Sequence, residues 1–266
     1  MAKISVGCAG WDYKDWIGPF YPKKLKREDH LNFYSKIFNI VEINNTFYNV
    51  PYNGAVQNWY EWVPDNFRFT IKVWQNITHQ KENIDNESFI DLFFSRMKPL
   101  EPKISGYLWQ FPPRFKHSTD HASQLRRALE ISPTSVKHFI EFRNNSWFSP
   151  DNLKPFLINS KISFVTPYME RVKPYYYPDQ ANYYIRLIGD HTLTVFNQIQ
   201  RDQTEIMIDV HKNLNVLQKK PKVKEIIVIF NNNFRGFSPE DANTLKKEMG
   251  LPTHRFNLQR KLADFL

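Results

Sequence analysis

Short apolar runs alternate along this chain with stretches whose apolar residues recur at helical spacing. Eight runs read as strands, at 4–9, 40–44, 68–73, 105–110, 138–142, 162–166, 183–187 and 225–230, each bounded by turn or helix signals. Between most of them lies a helical stripe. Leu31, Tyr34, Ile37 and Phe38 form one, and Phe89, Leu92, Phe93, Met97 and Leu100 form another. Residues 124–131 and 209–217 supply two more. Strands that alternate with helices pair in parallel through crossovers. Eight such units in a domain-sized chain predict an α/β fold, a single (β/α)8 TIM barrel over residues 1–266 with long βα loops at the C-terminal face. A glycine-rich nucleotide loop does not follow the first run, which argues against a dinucleotide-binding sheet. The first loop, 11–31, is long and carries Gly18, Pro19 and Pro22. The tail, 252–266, places Leu258, Leu262 and Phe265 at helical spacing and is expected to pack on the barrel or on a partner subunit.

Polar residues stand where the apolar runs end, which is where barrels carry their chemistry. Period-two alternation puts Glu42 with Asn44, and Glu141 with Arg143, on one face of their strands. Lys72, Gln110, Arg186, Asn231 and Asn232 close other strands in the same way. Charges buried in a barrel are costly unless paired, so these groups either pair or face a wet pocket. Lys72, Arg143 and Arg186 are three cations against two carboxylates, and guanidinium forks match phosphate and carboxylate. The expected partner is therefore a small anionic ligand. Glu42 and Glu141 are the candidates for metal-independent acid/base catalysis. On the other reading, both serve to orient the arginines.

Residues 231–241 read as strand end, Gly-containing loop and helix start, with Ser238 as N-cap, Pro239 first in the helix and Asp241 as the capping-box acid. A helix N-terminus after the eighth strand is a recurrent phosphate position, but Glu240 and Asp241 would repel an anion there. Aromatic residues crowd the same end: Trp11, Tyr13, Trp16, Phe20, Tyr21, Phe47, Tyr48, Trp109, Phe111 and Trp147. They stack on a ligand or cover the barrel mouth.

Composition narrows the classes. The apolar runs are too short to cross a bilayer, and the opening MAKISVGCAGW carries no apolar signal region. One cysteine, Cys8, excludes an internal disulfide framework and a cysteine-rich zinc site. The expectation is a cytoplasmic protein without membrane contact. Neither His-x-His nor HExxH spacing occurs, so no metal or cofactor is predicted, and a site from His79, Glu42 and Glu141 is the minor alternative. The formal charge of +9 admits a nucleic-acid partner. The basic clusters Lys23, Lys24, Lys26, Arg27 and Lys219, Lys220, Lys222, Lys224 lack interleaved aromatics, however, and read as solvated surface.

The segments GCAGWDYKDWIGPFYP, VEINNTFYNVP, FRFTIKVWQNITH, LWQFPPRF, EFRNNSW and NNNFRGFSPEDANTL resemble the YecE-like family, domain of unknown function 72, in order across residues 7–251. The resemblance implies a TIM barrel related to the xylose-isomerase and endonuclease IV barrels. It also implies a pocket of Trp11, Tyr13, Glu42, Asn44, Tyr48, Lys72, His79, Gln110, Glu141, Arg143, Trp147, Arg186 and Asn231. Three positions depart from the family pattern: Cys8-Ala9 replaces a Thr-Ser pair, Asn144 replaces a histidine, and Thr166-Pro167 stands where an aspartate is common. Three functions follow for comparison: an enzyme acting on a small anionic substrate, a nucleic-acid-binding or repair-type protein, and a non-catalytic ligand sensor. Barrel glycosidases resemble one another in placing acids on strands four and seven, where this chain has Gln110 and Arg186, which argues against glycoside hydrolysis.

Overall fold

A computed structural model describes residues 2–156 and 161–254. Eight parallel strands close into a barrel in sequence order: β1 Lys3–Ala9, β2 Ile40–Ile43, β3 Arg68–Lys72, β4 Ile104–Gln110, β5 His138–Glu141, β6 Ile162–Tyr168, β7 Asn182–Leu187 and β8 Glu225–Phe230. The predicted α/β barrel is the observed fold. Its helices are α1 His30–Ser35, α2 Asn53–Glu61, α3 Gln75–Thr78, α4 Glu87–Met97, α5 Thr119–Glu130, α6 Pro150–Leu153, α7 Thr204–Leu217 and α8 Ser238–Glu248. Among the described residues no helix is long and apolar enough to cross a membrane. The stripe expected at Leu258, Leu262 and Phe265 lies outside the described residues.

Strand parity divides the core in two. One set of side chains, Ala9, Ile40, Leu108, Phe139, Val165, Tyr184, Ile227 and Ile229, fills the barrel interior. The alternate set, including Cys8, Val41, Ile71, Trp109, Ile140 and Val228, packs outward against the helices. Gly106 on β4 makes room for this filling, because a Cβ there would lie 2.5 Å from the Phe139 ring and 2.8 Å from the Lys137 carbonyl oxygen.

The crossover from β6 to β7 departs from the alternation. It contains no helix, and residues 169–181 cover β6 instead. Phe164 meets the Tyr177 ring at 5.4 Å, and Thr166 donates to the Tyr175 carbonyl at 2.9 Å. The Gln180 side chain takes the place of a neighbouring peptide. Its Oε1 accepts from the Phe164 amide at 2.5 Å and its Nε2 donates to the Phe164 carbonyl at 3.3 Å. The register Val165↔Tyr184 and Pro167↔Arg186 shows why β6 runs past its expected end. Pro167 faces the interior level with Arg186, and the strand continues to Tyr168.

The start of α8 also differs from expectation. Phe237, not Ser238, holds the N-cap position, and its carbonyl accepts from the Glu240 and Asp241 amides at 3.1 and 3.3 Å. Ser238 turns inward and donates to Asn232 Oδ1 at 2.8 Å. Asp241 is fully buried behind it, 3.5 Å from Arg235 Nε, and neither carboxylate oxygen has a hydrogen-bond partner among the described residues. Burial pushes its carboxyl up to about 8 although Arg235 works to lower it. Asp241 therefore belongs to the core beneath α8 and makes no capping box.

Candidate site at the barrel mouth

The inward parity that fills the barrel with apolar residues continues upward into charged ones. Glu42 sits level with Thr70 and Ala9, Arg186 level with Ile229, and Glu141 level with Gln110. Glu42, Glu141 and Arg186 are thus carried to one height from β2, β5 and β7, strands that are not neighbours. Arg186 lies across the barrel axis between the two acids. Its Nε donates to Glu42 Oε2 at 2.8 Å and its Nη2 to Glu42 Oε1 at 2.7 Å, while Nη1 donates to Glu141 Oε2. Arg143 donates Nε to Glu141 Oε1 at 2.9 Å. Tyr184, one layer below, donates its hydroxyl to Glu42, and its oxygen meets Thr70 Oγ1 at 2.8 Å.

Both glutamates are 0% exposed, and every carboxylate oxygen holds a charged donor. Burial works to raise the Glu141 carboxyl, but Arg186 and Arg143 overcome it and hold the group at about 2. Burial likewise works against the Arg186 charge, and Glu141 and Glu42 reverse it, so the guanidinium is held above its ordinary value. This network forms the floor of the site.

Above the floor lies a cavity of about 270 Å³ lined by Tyr13, Asn44, Tyr48, Lys72, Arg143, Arg186, Ile188, His191, Phe196 and Asn231 to Asn233. Seven residues expected in a pocket converge here: Tyr13, Asn44, Tyr48, Lys72, Arg143, Arg186 and Asn231. Lys72 holds its Nζ 3.8 Å from the centre of the Phe47 ring and has no acidic or carbonyl partner among the described residues. Burial lowers its pKa, as do Arg186 and Arg143, while Glu141 and Glu42 oppose them; the result is about 7. The ring face favours the ammonium by about 0.5–2 kcal/mol. Arg143 gives only its Nε to protein among the described residues, which leaves its two Nη groups without a protein partner. Asn44 Oδ1, Asn233 Oδ1 and Asn232 Nδ2 are buried polar atoms without a partner among the described residues.

Four expected residues stand elsewhere. Gln110 and His79 lie beside the cavity, their Nε2 atoms 3.4 Å apart, and His79 packs edge-on against Phe47 at 4.9 Å. Burial, with Lys72 and Arg114 nearby, depresses His79 to about 4, so the ring is neutral at ordinary pH. Trp11 packs edge-on against Trp59 at 6.0 Å. Trp147 is wholly buried, stacked on Phe142 at 4.1 Å with its Nε1 donating to the Phe115 carbonyl. Its role is to hold the β5 loop. Asn144 does the same, donating to the Pro113 carbonyl and accepting from the Ser146 amide. Among the described residues no three His, Cys, Asp or Glu side chains are arranged to share a metal ion.

His191, Phe196 and Ile188 line the cavity without having been expected there. They belong to the loop after β7, drawn over the mouth by Gly189. That residue has φ 78°, and a Cβ on it would lie 2.1 Å from the Asn233 carbonyl oxygen. Phe196 then closes edge-on against Tyr13 at 6.0 Å. The sequence offers no more than a glycine shortly after the seventh apolar run as a signal for this, since the loop itself has no periodicity. Larger grooves of about 610 and 510 Å³ lie outside the mouth. The first, bordered by Glu87, Asp91 and Glu101, gathers no comparable set of converging cations. The smaller cavity is where the chemistry converges.

Fold and site together define a TIM-barrel protein with a buried Glu–Arg–Glu floor under a cation-lined mouth. The chain belongs to the family described as "Protein of unknown function DUF72", which it matches over residues 5–264. It is 33% identical over 153 residues to the UPF0759 protein YunF of Bacillus subtilis, and 30% identical over 146 residues to the UPF0759 protein YecE of Escherichia coli. Those matches cover 55% of this chain and 53% and 50% of the relatives, so the chain spans about half the length of the curated relatives it matches. A DUF72 family protein from Thermotoga maritima superposes with a TM-score of 0.78 at 27% identity, over 93% of this chain and 99% of the other. One from Enterococcus faecalis gives 0.75 at 25%, over 95% and 99%.

Proposed function

We propose that the barrel mouth binds a small ligand bearing a phosphate or carboxylate group and at least one hydroxyl. The observation that carries this reading is the charge left over once the floor is paired. Every carboxylate oxygen of Glu42 and Glu141 is engaged by Arg186, Tyr184 or the Arg143 Nε. Lys72 and the Arg143 Nη groups then face a cavity lined, among the described residues, by no further carboxylate. A guanidinium fork beside an ammonium suits an anion, and the unpartnered Asn44 and Asn233 oxygens suit a hydroxyl donor.

The two glutamates act in this reading by orientation. Each of their oxygens holds a charged donor and both side chains lie fully buried beneath the cavity, so neither is placed to take a substrate proton, and their service is to fix both arginines. A cytoplasmic setting belongs to the proposal, supported by a single thiol carried free and buried at Cys8.

Calorimetric titration with inorganic phosphate, citrate and a sugar phosphate tests the site. Binding is expected in the native chain and weakened roughly tenfold or more by Arg143→Ala, which removes the fork. If none of these anions binds at low salt, or if Arg143→Ala binds them equally well, the reading fails.

A further inference from the structure

Among the described residues Lys103 and Lys246 are buried and Lys72 is half-buried at the mouth, and the three are not alike. Lys103 donates to the Tyr60 and Val63 carbonyls at 2.8 and 2.7 Å, and Lys246 donates to the Ile37 carbonyl at 3.0 Å. Each is committed as an ammonium that ties one element to another. Lys72 has no such commitment: its Nζ meets the Phe47 ring face and the open side of the mouth cavity. An amine serves as a nucleophile only when its lone pair is free, and a partly buried, cation-flanked lysine is the environment that frees it.

We propose that Lys72 is a nucleophile that forms a Schiff base with a small aldehyde or ketone carrying a carboxylate or phosphate. This rests on the anion-binding reading of the same cavity and names the substrate class within it. Arg143, His191 and Asn231 line the cavity beside Lys72 and would hold the anionic arm. The neutral Nζ attacks the carbonyl carbon, the C=O π pair moves to oxygen, and a proton passes from nitrogen to that oxygen to give a carbinolamine. A second proton, taken from solvent at the open mouth, lets the oxygen leave as water and the nitrogen lone pair close the C=N bond. The product is a protonated imine and one water, with no change of oxidation state. The Phe47 face under Nζ then supports the cationic imine as it does the ammonium.

The charged and titratable groups facing Lys72 are Arg186 and Arg143, which favour its neutral form, and Glu141 and Glu42, which oppose them. His79 and His191 are both depressed, and burial is the main cause. With the Lys72 value at about 7, reactivity is expected to rise through neutral pH and level off above it, where exposed lysines are still protonated.

The test uses the whole chain with pyruvate, glyoxylate and glyceraldehyde 3-phosphate, each with sodium cyanoborohydride, followed by peptide mass mapping. A reduced adduct is expected on Lys72, formed roughly tenfold faster than on exposed lysines such as Lys23 and Lys24 at neutral pH. Lys72→Arg, which removes the amine, is expected to abolish that adduct. Labelling that spreads over exposed lysines without favouring Lys72, for all three probes, overturns the proposal. If phosphate binds yet Lys72 resists trapping, the nucleophile falls and the anion site stands. If Lys72 is trapped and phosphate neither binds nor competes, the nucleophile stands and the anion site falls.

Discussion

At Glu141 two large effects oppose each other, and the balance has a measurable consequence. Removing a carboxylate from water favours its neutral form, yet Arg186 and Arg143 hold the folded-state pKa at about 2 against an ordinary 4.5. For an acid whose pKa is depressed by folding, the unfolded chain binds the proton first as pH falls. The stabilisation is therefore fully present above about pH 4.5 and is lost as pH falls through the folded value. Urea denaturation of the native chain between neutral pH and about pH 3 should show stability falling through this window. In Glu141→Gln that part of the fall should disappear. Its neutral-pH stability should also drop by about 3–5 kcal/mol, because Arg186 remains buried with one charged partner fewer. An equal acid slope in both chains would count against this account of the ion pairs.

Elements differ in how they are held, and β6 is the exception in this barrel. The other strands are covered by helices or by ordered turns, whereas β6 relies on residues 169–181 and on one side chain, Gln180, acting as a peptide. Gln180 is 2% exposed, so its two hydrogen bonds are shielded from water that would otherwise replace them. Gln180→Ala should cost about 1–3 kcal/mol by leaving the Phe164 amide and carbonyl buried without those partners. Hydrogen exchange should place the new opening at the Phe164 amide, with β2 and β8 unchanged. Uniform loss of protection across all strands would contradict a local clamp. This crossover was not legible in the sequence, because an irregular cover has no period to read. The strand ends were legible for the opposite reason. Alternation places Glu42, Glu141, Lys72 and Arg186 inward whatever the loops do, since each follows the parity of its own strand. Trp147 and Trp11 misled because residue type and proximity to a strand end do not say which way a loop side chain turns. His191 and Phe196 escaped because only the close approach of Gly189 to Asn233 brings their loop over the mouth.

Across the whole molecule, the floor network poses the question of whether it exists for stability or for the site. Arg186 joins β7 to β2 and β5, strands that make no direct hydrogen bonds with one another, so it resembles a brace across the barrel. Buried ion networks, however, cost several kcal/mol per ion in lost hydration, and their mutual attraction often does no more than offset that cost. The surroundings point the same way. The layer beneath is already a well-filled apolar core of Ile40, Leu108, Phe139, Val165 and Ile227. Tyr184 has Thr70 as a second partner if Glu42 is lost, and the Arg143 side chain, 17% exposed, can reach water if Glu141 is lost. Arg186→Leu alone should therefore destabilise strongly, by about 3–5 kcal/mol, because it strands two buried carboxylates. The triple variant Glu42→Met, Glu141→Met, Arg186→Leu should recover most of that loss and lie within about 2 kcal/mol of the native chain. It should nevertheless lose phosphate binding, since Arg143 would no longer be held by Glu141 with its Nη groups free for the cavity. Urea midpoints read the first quantity and calorimetric titration the second. A triple variant as unstable as Arg186→Leu would make the network a structural brace. A stable triple variant that binds phosphate as the native chain does would show that the floor does not position the fork. Stability kept and binding lost is the outcome expected of charges retained for the mouth above them.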